Sequence, residues 1–468
     1  MKKLLVIIVV LSIASSFLIA QNRNLLWEVF FGSAVGGSER GHDMIQLADG
    51  SLVITGTVGE DTYLVKTDSN GILIWESVIS VLLWDGVNAI DETTDGGFIL
   101  CGYVGNTAGW DYTLVKTDAN GIEEWRQTYV FGQYDKGFEV LEAADGGFLL
   151  YWDGYGQTRG LVKTDANGML EWENDALAGY VFDMMRIASG YLLVGEINGD
   201  VWIWEIDEAG TEVASATIDS GETDEAYAVA PTADGGYIIA GSKKVGFDPK
   251  DIFVVKVDAT YTEEWQFSAN PVEYDNAEDV IQTADGNYLV VGIAGGYVDK
   301  DAYILKLDSV GTEVWHAIKG NEGEDTAIRV VEQANGNLVV MGYTQSYNGQ
   351  DQDIWLMCGD ETGFVGIDEN ITIPVTTMNL SAYPNPFNPS TTIMFSLDAP
   401  ANNTELAIYN LRGQKIKTFS LNSYPEMSEG SVVWNGSDEN NKPVASGLYL
   451  YKLTSGTRSI TRKLILMK

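Results

Sequence analysis

Carboxylates recur at fixed positions of this 468-residue chain, and a regular set of carboxylates is the first place to look for a cation site. One set lies two residues after a recurring lysine position and is usually followed, three residues later, by glycine, as in Asp68-Ser69-Asn70-Gly71. Its members are Asp68, Asp118, Asp165, Asp207, Asp258, Asp308 and Asp360. Aspartate caps such a turn through its own side chain and glycine supplies the positive φ, whereas a calcium loop needs further carboxylates at alternate positions. We therefore predict turn capping for this set.

Two further acidic sets open the first and the third strand of the same recurring unit. The first set is Glu39, Asp85, Asp135, Asp224, Asp275 and Asp325. The second set is Asp61, Asp111, Asp200, Asp251, Asp301 and Asp353. Because strands alternate in direction, both sets are expected at one end of the fold, where a ring of carboxylates suits cations.

A residue that is present in nearly every unit usually serves the unit itself rather than a ligand. Turn capping, or pairing with the recurring lysines, is therefore the favoured interpretation of these two sets. Those lysines are Lys66, Lys116, Lys163, Lys256 and Lys306. We predict no metal site and no cofactor, with calcium as the possible exception.

Aromatic residues that do not recur between units are expected at that same end, in connections of varying length. The candidates for ligand binding are Trp110, Trp152, Tyr155, Tyr297 and Tyr347. Aromatic rings beside carboxylates and amides hold sugars by stacking and hydrogen bonds. The alternative is that these rings only pack loops onto the strands beneath them.

The residue types that most enzyme sites need are scarce in this chain. It has two histidines, His42 and His316, and two cysteines, Cys101 and Cys358, in different units. No G-x-S-x-G, P-loop or H-E-x-x-H motif is present, so we assign no catalytic residue and favour a protein that is not an enzyme. The net charge of 28 − 67 = −39 repels phosphate backbones and argues against a nucleic-acid partner.

A repeat decides the fold. Trp27, Trp75, Trp125 and Trp172 are 48, 50 and 47 residues apart, and seven copies of the unit can be aligned along the chain. Each copy contains four short β segments separated by Asp-Gly and Asp-x-x-Gly turns, with little helix signal. Four strands a unit, seven times over, predict a seven-bladed β-propeller across residues 21–365.

The two ends of the repeat are out of phase. Residues 24–32 match the fourth strand of a unit, and the seventh copy has three strands, the last near residues 353–358, and no tryptophan after them. We predict that the N-terminal strand completes the last blade, with Trp27 in the tryptophan position, and so closes the ring and removes its open edges.

The regions outside the repeat differ from it in composition. Residues 1–20 combine Lys2 and Lys3 with an apolar run and end at Ala20, which predicts a cleaved Sec signal peptide. No later segment is long and apolar enough for a transmembrane helix. Residues 366–378 are expected to be a linker, and residues 379–468, with nine Lys or Arg against six Asp or Glu, a second domain.

Two resemblances to known families follow from quoted residues. The unit VKTDANGIEEW, which ends at Trp125, resembles the strand–turn–Trp element of pyrroloquinoline-quinone-type propellers. Those enzymes carry adjacent cysteines that this chain lacks, so the resemblance implies the propeller and not the cofactor. The chain looks closer to secreted bacterial β-propeller-repeat proteins of unassigned activity.

The C-terminal region reads YPNPFNPSTTIMFSL from Tyr383, then WNGSDENNKPVASGLYLYKL from Trp434, and ends in TRKLILMK. It resembles the immunoglobulin-like C-terminal sorting domain of type IX secretion, related to flagellar hook-capping proteins. The residues that match the motif are Tyr383, Pro384, Asn385, Pro386, Phe387, Asn388, Pro389, Gly447, Tyr449, Lys463 and Lys468. The resemblance implies Sec export, the type IX machinery as a partner, and a secreted or outer-membrane-surface location.

Together these patterns predict an acidic, secreted or cell-surface propeller that acts as a non-catalytic binding module, with a glycan or a surface protein as its ligand. The alternatives are a secreted enzyme acting on an extracellular polymer and a structural surface component. The sequence does not identify the ligand.

Overall fold

The computed structural model describes most of the chain, with gaps. The described ranges are residues 25–31, 38–80, 85–105, 109–131, 134–154, 158–221, 223–244, 250–271, 274–296, 300–320, 322–345, 352–360, 364, 379–383, 387–396, 404–410, 414–420, 429–439, 442–455 and 458–466. The chain divides into two compact units, Met1–Gly366 and Ile367–Lys468. The signal peptide and the linker predicted from the sequence lie outside the described residues. Within the described ranges, no helix has the length and apolar character needed to cross a bilayer.

The described part of the first unit contains seven four-stranded antiparallel sheets, which form the blades of a β-propeller. Blade 1 is β2 (Glu39–Gln46), β3 (Leu52–Val58), β4 (Asp61–Thr67) and β5 (Leu73–Ile79). Blade 2 is β6 (Asp85–Glu92), β7 (Phe98–Gly105), β8 (Trp110–Thr117) and β9 (Glu123–Tyr129). Blade 3 is β10 (Lys136–Glu142), β11 (Phe148–Asp153), β12 (Arg159–Thr164) and β13 (Leu170–Asn174). Blade 4 is β14 (Tyr180–Ile187), β15 (Gly190–Ile197), β16 (Asp200–Ile206) and β17 (Glu212–Ile218).

The remaining three blades follow the same order. Blade 5 is β18 (Thr223–Pro231), β19 (Tyr237–Lys244), β20 (Lys250–Val257) and β21 (Glu263–Ala269). Blade 6 is β22 (Asn276–Gln282), β23 (Tyr288–Gly295), β24 (Lys300–Leu307) and β25 (Glu313–Lys319). Blade 7 is β26 (Arg329–Glu332), β27 (Leu338–Thr344), β28 (Asp353–Gly359) and the N-terminal strand β1 (Trp27–Phe31).

The N-terminal strand closes the ring, as the phase of the repeat predicts. β1 is antiparallel to β28, with Trp27 opposite Cys358 and Phe31 opposite Ile354. The Trp355 indole N–H donates to the Glu28 carboxylate at 2.7 Å, and Val29 and Phe31 are buried against blade 1. A strand from the start of the chain thereby covers the edge that β28 would otherwise expose.

The two ends of the propeller are built differently. At the turn end, five-residue connections such as residues 68–72 and 308–312 join the third strand to the fourth. The Asp68 Oδ1 accepts the N–H groups of Asn70 and Ile72 at 2.8 and 2.9 Å, and the same pattern repeats in blades 2 to 6. The other end, the loop end, holds connections of unequal length, from residues 59–60 in blade 1 to residues 345–352 in blade 7.

In five of the seven blades, the outer-strand tryptophan packs on the turn of the next blade. A Cβ added to Gly71 would lie 2.7 Å from the Trp27 ring, and one added to Gly121 would lie 2.7 Å from Trp75. The same holds for Gly168 against Trp125, Gly210 against Trp172 and Gly311 against Trp265. These glycines therefore serve twice, since they take φ between +70° and +81° and they leave room for the ring.

The second unit is a small two-sheet β-sandwich. One sheet has the order β29 (Asn379–Tyr383), β30 (Thr391–Ser396), β33 (Glu429–Trp434). The other has the order β32 (Lys415–Ser420), β31 (Thr404–Asn410), β34 (Gly447–Ser455), β35 (Arg458–Leu466). Residues from both sheets share one core, which includes Ile393, Trp434, Leu406 and Leu464.

Candidate functional site

The turn end repeats one arrangement of charges in blades 2, 3, 5 and 6. The Lys116 ammonium is buried and lies 3.0 Å from Asp95 and 3.2 Å from Glu124. Lys163 and Lys256 repeat this arrangement, with Asp145 and Glu171 and with Asp234 and Glu264, and Lys306 pairs with Asp285. A hydrogen bond from Thr93, assisted by Lys116, lowers the pKa of Asp95 to about 2. These ion pairs at the turn end hold the strands of a blade together.

Among the described ion pairs, these recurring lysines do not pair with the strand-opening acids proposed as their partners from the sequence. Asp111 opens β8 and Lys116 lies five residues further along it, so the two are about 16 Å apart at a strand rise of about 3.3 Å per residue. The Lys116 side chain therefore lies at the turn end, where it forms ion pairs with Asp95 and with Glu124 of the fourth strand.

The acids that open the first strands cap the connections between blades, which is one of the two roles expected for them. Asp135 is buried, and its Oδ2 accepts the Phe131 N–H at 2.8 Å. Asp224 accepts both the N–H and the hydroxyl of Ser220, at 3.0 and 2.8 Å. Their own N–H groups donate to the preceding blade, Asp135 to the Trp110 carbonyl at 2.9 Å and Asp224 to the Gly199 carbonyl at 2.8 Å. No group of three or more His, Cys, Asp or Glu within the described ranges is arranged to hold a metal ion.

The loop end, by contrast, carries residues of several types at the described junctions between blades. At every described junction of this type, the carbonyl of the residue just before the third-strand acid accepts a backbone N–H of the next blade. The residues at this junction position are Glu60, Trp110, Gly199, Lys250, Lys300 and Gln352. The backbone geometry is constant and the side chain is not, which is what a scaffold with a variable surface requires.

One junction places a lysine over two aromatic rings, and a third ring contacts one of these two. The Lys136 Nζ lies 4.3 Å from the centroid of the Trp110 ring and 4.9 Å from that of Tyr103. Tyr134 meets the Trp110 ring edge-on, with centroids 5.4 Å apart and an interplanar angle of 83°. Burial lowers the pKa of Lys136. We call Tyr103, Trp110 and Tyr134 the aromatic cage.

The equivalent junction between blades 7 and 1 has a cation on a single ring. The Arg40 guanidinium lies 5.3 Å from the centroid of Tyr343, at the positions that Lys136 and Tyr103 occupy between blades 2 and 3. Here Gln352 stands where Trp110 stands in blade 2, and it hydrogen-bonds both Arg40 and Glu324. Glu324 also pairs with Lys300 at 2.9 Å. This cation is held by a polar network rather than by rings.

The aromatic residues predicted to bind ligand have different fates. Trp110 lies half-buried at the loop end, as expected. Trp152 is 2% exposed and stacks on Phe131 at 4.6 Å within the core shared with Phe148 and Leu150, so it does not offer the stacking surface that was predicted. Tyr155, Tyr297 and Tyr347 lie outside the described residues.

The channel side of the innermost strands carries a second group of unlike residues, which the sequence analysis did not single out. A β-bulge interrupts the first strand of blades 1 to 6, and it places one extra residue opposite the second strand. The bulged residues are His42, Asn88, Phe138, Phe182, Tyr227 and Glu278. Each of them retains some exposure.

Immediately after the bulges lies a cluster of charges around Arg329. Its Nε lies 2.6 Å from Asp43 of blade 1, and its Nη2 lies 3.8 Å from Glu139 of blade 3. Burial raises the pKa of Asp183 to about 7 and that of Asp279 to about 6, and Arg329 opposes both shifts. Aligning the seven copies would have revealed the cluster, because Arg329 is the cation at a position where Asp43, Asp183 and Asp279 recur.

The aspartates of this cluster also join neighbouring blades. Each accepts the N–H of the following residue with Oδ1 and an N–H of the next blade with Oδ2. Asp43 accepts Ile90 at 3.0 Å, Asp183 accepts Val229 at 2.7 Å and Asp279 accepts Val330 at 2.8 Å. Burial also lowers the pKa of the neighbouring His42 to about 4.

In the second unit, the motif residues that the structure describes converge on the core and the last strand. Phe387 is buried, its ring lies 5.3 Å from that of Trp434, and its N–H donates to the Ile465 carbonyl at 2.9 Å. Tyr449 packs on the other side of Trp434 at 5.2 Å and donates its hydroxyl to the Ala445 carbonyl at 2.7 Å. The motif therefore docks onto the C-terminal strand β35.

The other motif residues lie at the surface or outside the description. Asn388, Pro389 and Lys463 are exposed, and Gly447 begins β34 with a φ of 152°. Tyr383 ends β29. Residues 384–386 and Lys468 lie outside the described residues.

Comparison with known proteins identifies this second unit. Residues 381–467 match the family described as "Secretion system C-terminal sorting domain". No curated protein matches the chain. Among solved structures, PorZ of Porphyromonas gingivalis, described as an essential bacterial surface component of the type IX secretion system, is 13% identical with a TM-score of 0.44. The match covers 94% of this chain and 60% of that one, so this chain spans less than two thirds of it.

A second solved structure, Sqt1 from Chaetomium thermophilum, is 14% identical with a TM-score of 0.42, and the match covers 69% of this chain and 82% of that one. The sorting-domain match identifies the second unit, and the four-stranded sheets described above identify the first unit as a propeller. The chain is an all-β propeller-repeat protein that carries a type IX secretion C-terminal sorting domain, and it is secreted or held at the cell surface by that system.

Proposed function

We propose that the protein is a non-catalytic binding module that holds an extracellular ligand, a glycan or a surface protein, on the loop end of its propeller. The observation that carries this proposal is the contrast between the two ends. The turn end repeats a Lys–Asp ion pair in blades 2, 3, 5 and 6, whereas the loop end presents five residue types at the six described junctions on a constant backbone.

Charge narrows the ligand class. The chain carries −39 overall, and a field of that sign disfavours polyanions. A neutral glycan or a cationic segment of a surface protein is therefore the expected partner. Lys250 on this end is already engaged by Glu225 and Tyr227.

The test is a binding screen of the mature full-length protein on a polysaccharide array and on outer-membrane proteins, with and without calcium. Trp110→Ala is expected to reduce retention at least tenfold without changing the melting temperature, because the ring is half-buried and lies at the loop end. Ile122→Ser is the matched control at the turn end, where the side chain is 62% exposed. Equal loss in both variants, or ligand retention that ignores Trp110, would contradict the proposed face.

A further inference from the structure

We infer that the aromatic cage of Tyr103, Trp110 and Tyr134 is a binding site for alkylammonium groups, and that Lys136 occupies it from within the chain. The inference deepens the proposed function and rests on it for the ligand face. It assigns a chemical class to the ligand, namely a lysine-like or quaternary ammonium cation, which a neutral sugar does not offer.

The Lys136 ammonium is held by two aromatic rings. An ammonium over the face of tryptophan or tyrosine within about 6 Å of the centroid is attracted by the ring quadrupole. Lys136 satisfies this for two rings at once, at 4.3 and 4.9 Å. Among the described residues it forms no ion pair with a carboxylate, although the chain has 67 acidic residues against 28 basic ones. The rings alone are sufficient partners for this cation.

The shape of the site also suits a cation. Tyr103 lies two residues before the end of β7 and Trp110 begins β8, so one hairpin fixes both rings. Tyr134 stands nearly perpendicular to Trp110, which forms a corner instead of a stack. Rings that meet at angles enclose a cation on more than one side, as in the cages that recognise methylated ammonium groups.

Part of the aromatic cage is open to solvent. Tyr134 is 43% exposed and is held at φ = 60°, a left-handed conformation that is uncommon outside glycine. A ring kept in solvent by an unfavourable backbone conformation contributes little to the core. Its exposure does leave part of the cage wall in contact with solvent.

Because Lys136 already occupies the cage, it competes with any external cation for the same site. A tethered lysine acts at a high effective concentration, so an external cation binds only in the fraction of molecules in which the lysine has left. The apparent affinity of the wild-type protein is therefore lower than that of the empty cage. Removing the lysine side chain is the way to reveal the site.

The experiment compares wild type and Lys136→Ala as full-length mature proteins, titrated with choline by calorimetry and by saturation-transfer NMR of its methyl groups. Lys136→Ala is expected to bind choline about tenfold more tightly than wild type, and Lys136→Ala/Trp110→Ala is expected to lose binding. The neutral isostere 3,3-dimethylbutan-1-ol should not bind to Lys136→Ala, since it lacks the charge. Nα-acetyl-lysine amide, in a parallel titration, separates lysine-like from quaternary sources.

Arg40→Ala is the matched control, because Arg40 occupies the equivalent position on the single ring of Tyr343, where Glu324 keeps Lys300 and Gln352 as partners. It should show no gain in choline affinity. If Lys136→Ala has a lower melting temperature than wild type, Lys136→Gln replaces it.

No gain of choline binding in a folded Lys136 variant, or equal binding of the neutral isostere, overturns the inference. Retention of the macromolecular ligand by all loop-end variants, with choline binding intact in Lys136→Ala, would show that the proposed function fails while the cage stands.

Discussion

At the scale of single residues, several carboxyls surround the buried Arg329. Asp43, Glu139, Asp183 and Asp279 approach one guanidinium from four blades. Burial raises the pKa of Glu139 and of Asp183, so these carboxyls resist ionisation even beside the cation. A buried cation with several acidic neighbours is costly to lose, because removal leaves charges of one sign together.

The sign of the pH dependence follows from the direction of these shifts. A carboxyl whose pKa is raised by folding contributes stability that is present at low pH and is lost as the pH rises through its folded value. For Asp91, Asp183 and Asp279 those values are about 6, 7 and 6, so their contribution is lost between pH 4 and 7. His42 acts in the opposite sense, because its pKa falls to about 4 and its contribution is lost as the pH drops below 6.5.

We predict that Arg329→Met destabilises the propeller by about 3 kcal/mol or more at pH 8 and by clearly less at pH 5. Without the guanidinium the pKa values of the remaining carboxyls rise further, so the loss of stability with rising pH becomes steeper than in wild type. Urea unfolding followed by fluorescence at both pH values measures this. A penalty that does not vary with pH would mean that packing, and not charge, is what Arg329 provides.

At the scale of elements, one blade junction departs from the tryptophan–glycine contact and shows a compensation. Blade 4 has Ala214 where the other outer strands carry tryptophan, and blade 5 has Tyr261 where the other turns carry glycine. Tyr261 keeps the positive φ of the turn, at 64°, and is 8% exposed in the core of that junction, beside Ala214 and Ala216. Its hydroxyl donates to Glu205. The ring that fills the gap comes from the opposite side of the junction.

The compensation predicts coupled mutations. Tyr261→Gly should destabilise the propeller by about 2–3 kcal/mol, the cost of deleting a buried ring reduced by relief of the left-handed strain. Ala214→Trp alone should destabilise by about 1–3 kcal/mol through overpacking. The double variant recreates the contact seen between Trp172 and Gly210 and should be more stable than the sum of the two single changes by at least about 1 kcal/mol. Simple additivity would show that the two positions do not share one gap.

The elements were predictable where a local rule acts in every copy. The aspartate turns follow from side-chain capping of nearby N–H groups, and the closing strand β1 follows from the phase of the repeat. Trp152 could have been placed correctly, because Phe148, Leu150 and Trp152 lie at alternate positions and share one buried face. The alternation of side chains along β11 could be read from the sequence, and it is a better guide to the position of Trp152 than the fact that the residue is aromatic.

The rest of the site depends on contacts that no single copy of the repeat contains. The bulges of β2 and β10 add one residue to a strand, and hydrophobic patterning does not locate such an insertion. The aromatic cage joins the ends of β7 and β8 to the connection before β10, across the junction of blades 2 and 3. Which side chains meet there is set by how neighbouring blades are placed, not by spacing along the chain.

At the scale of the whole molecule, the chain combines a closed ring with a separate sorting unit. The ring needs both ends of its own sequence, because β1 pairs with β28 and the Glu39 N–H donates to the Gln352 carbonyl at 2.6 Å. The sorting unit has its own core and its own two sheets. Each unit therefore has the structural elements for its own task, and removing one leaves the core of the other intact.

The last prediction follows from that independence. Deleting residues 379–468 is expected to leave a folded propeller in the periplasm of a bacterium that has type IX secretion, because the sorting domain within residues 381–467 is removed and the propeller core is not. Cell fractionation with an antibody against the propeller measures the location, and its melting temperature checks the fold. Full-length Val433→Ser is the matched control, since that side chain is 61% exposed beside the buried Trp434 and should leave export unchanged. A truncated chain that still reaches the cell surface at the wild-type level would show that the propeller carries an export signal of its own.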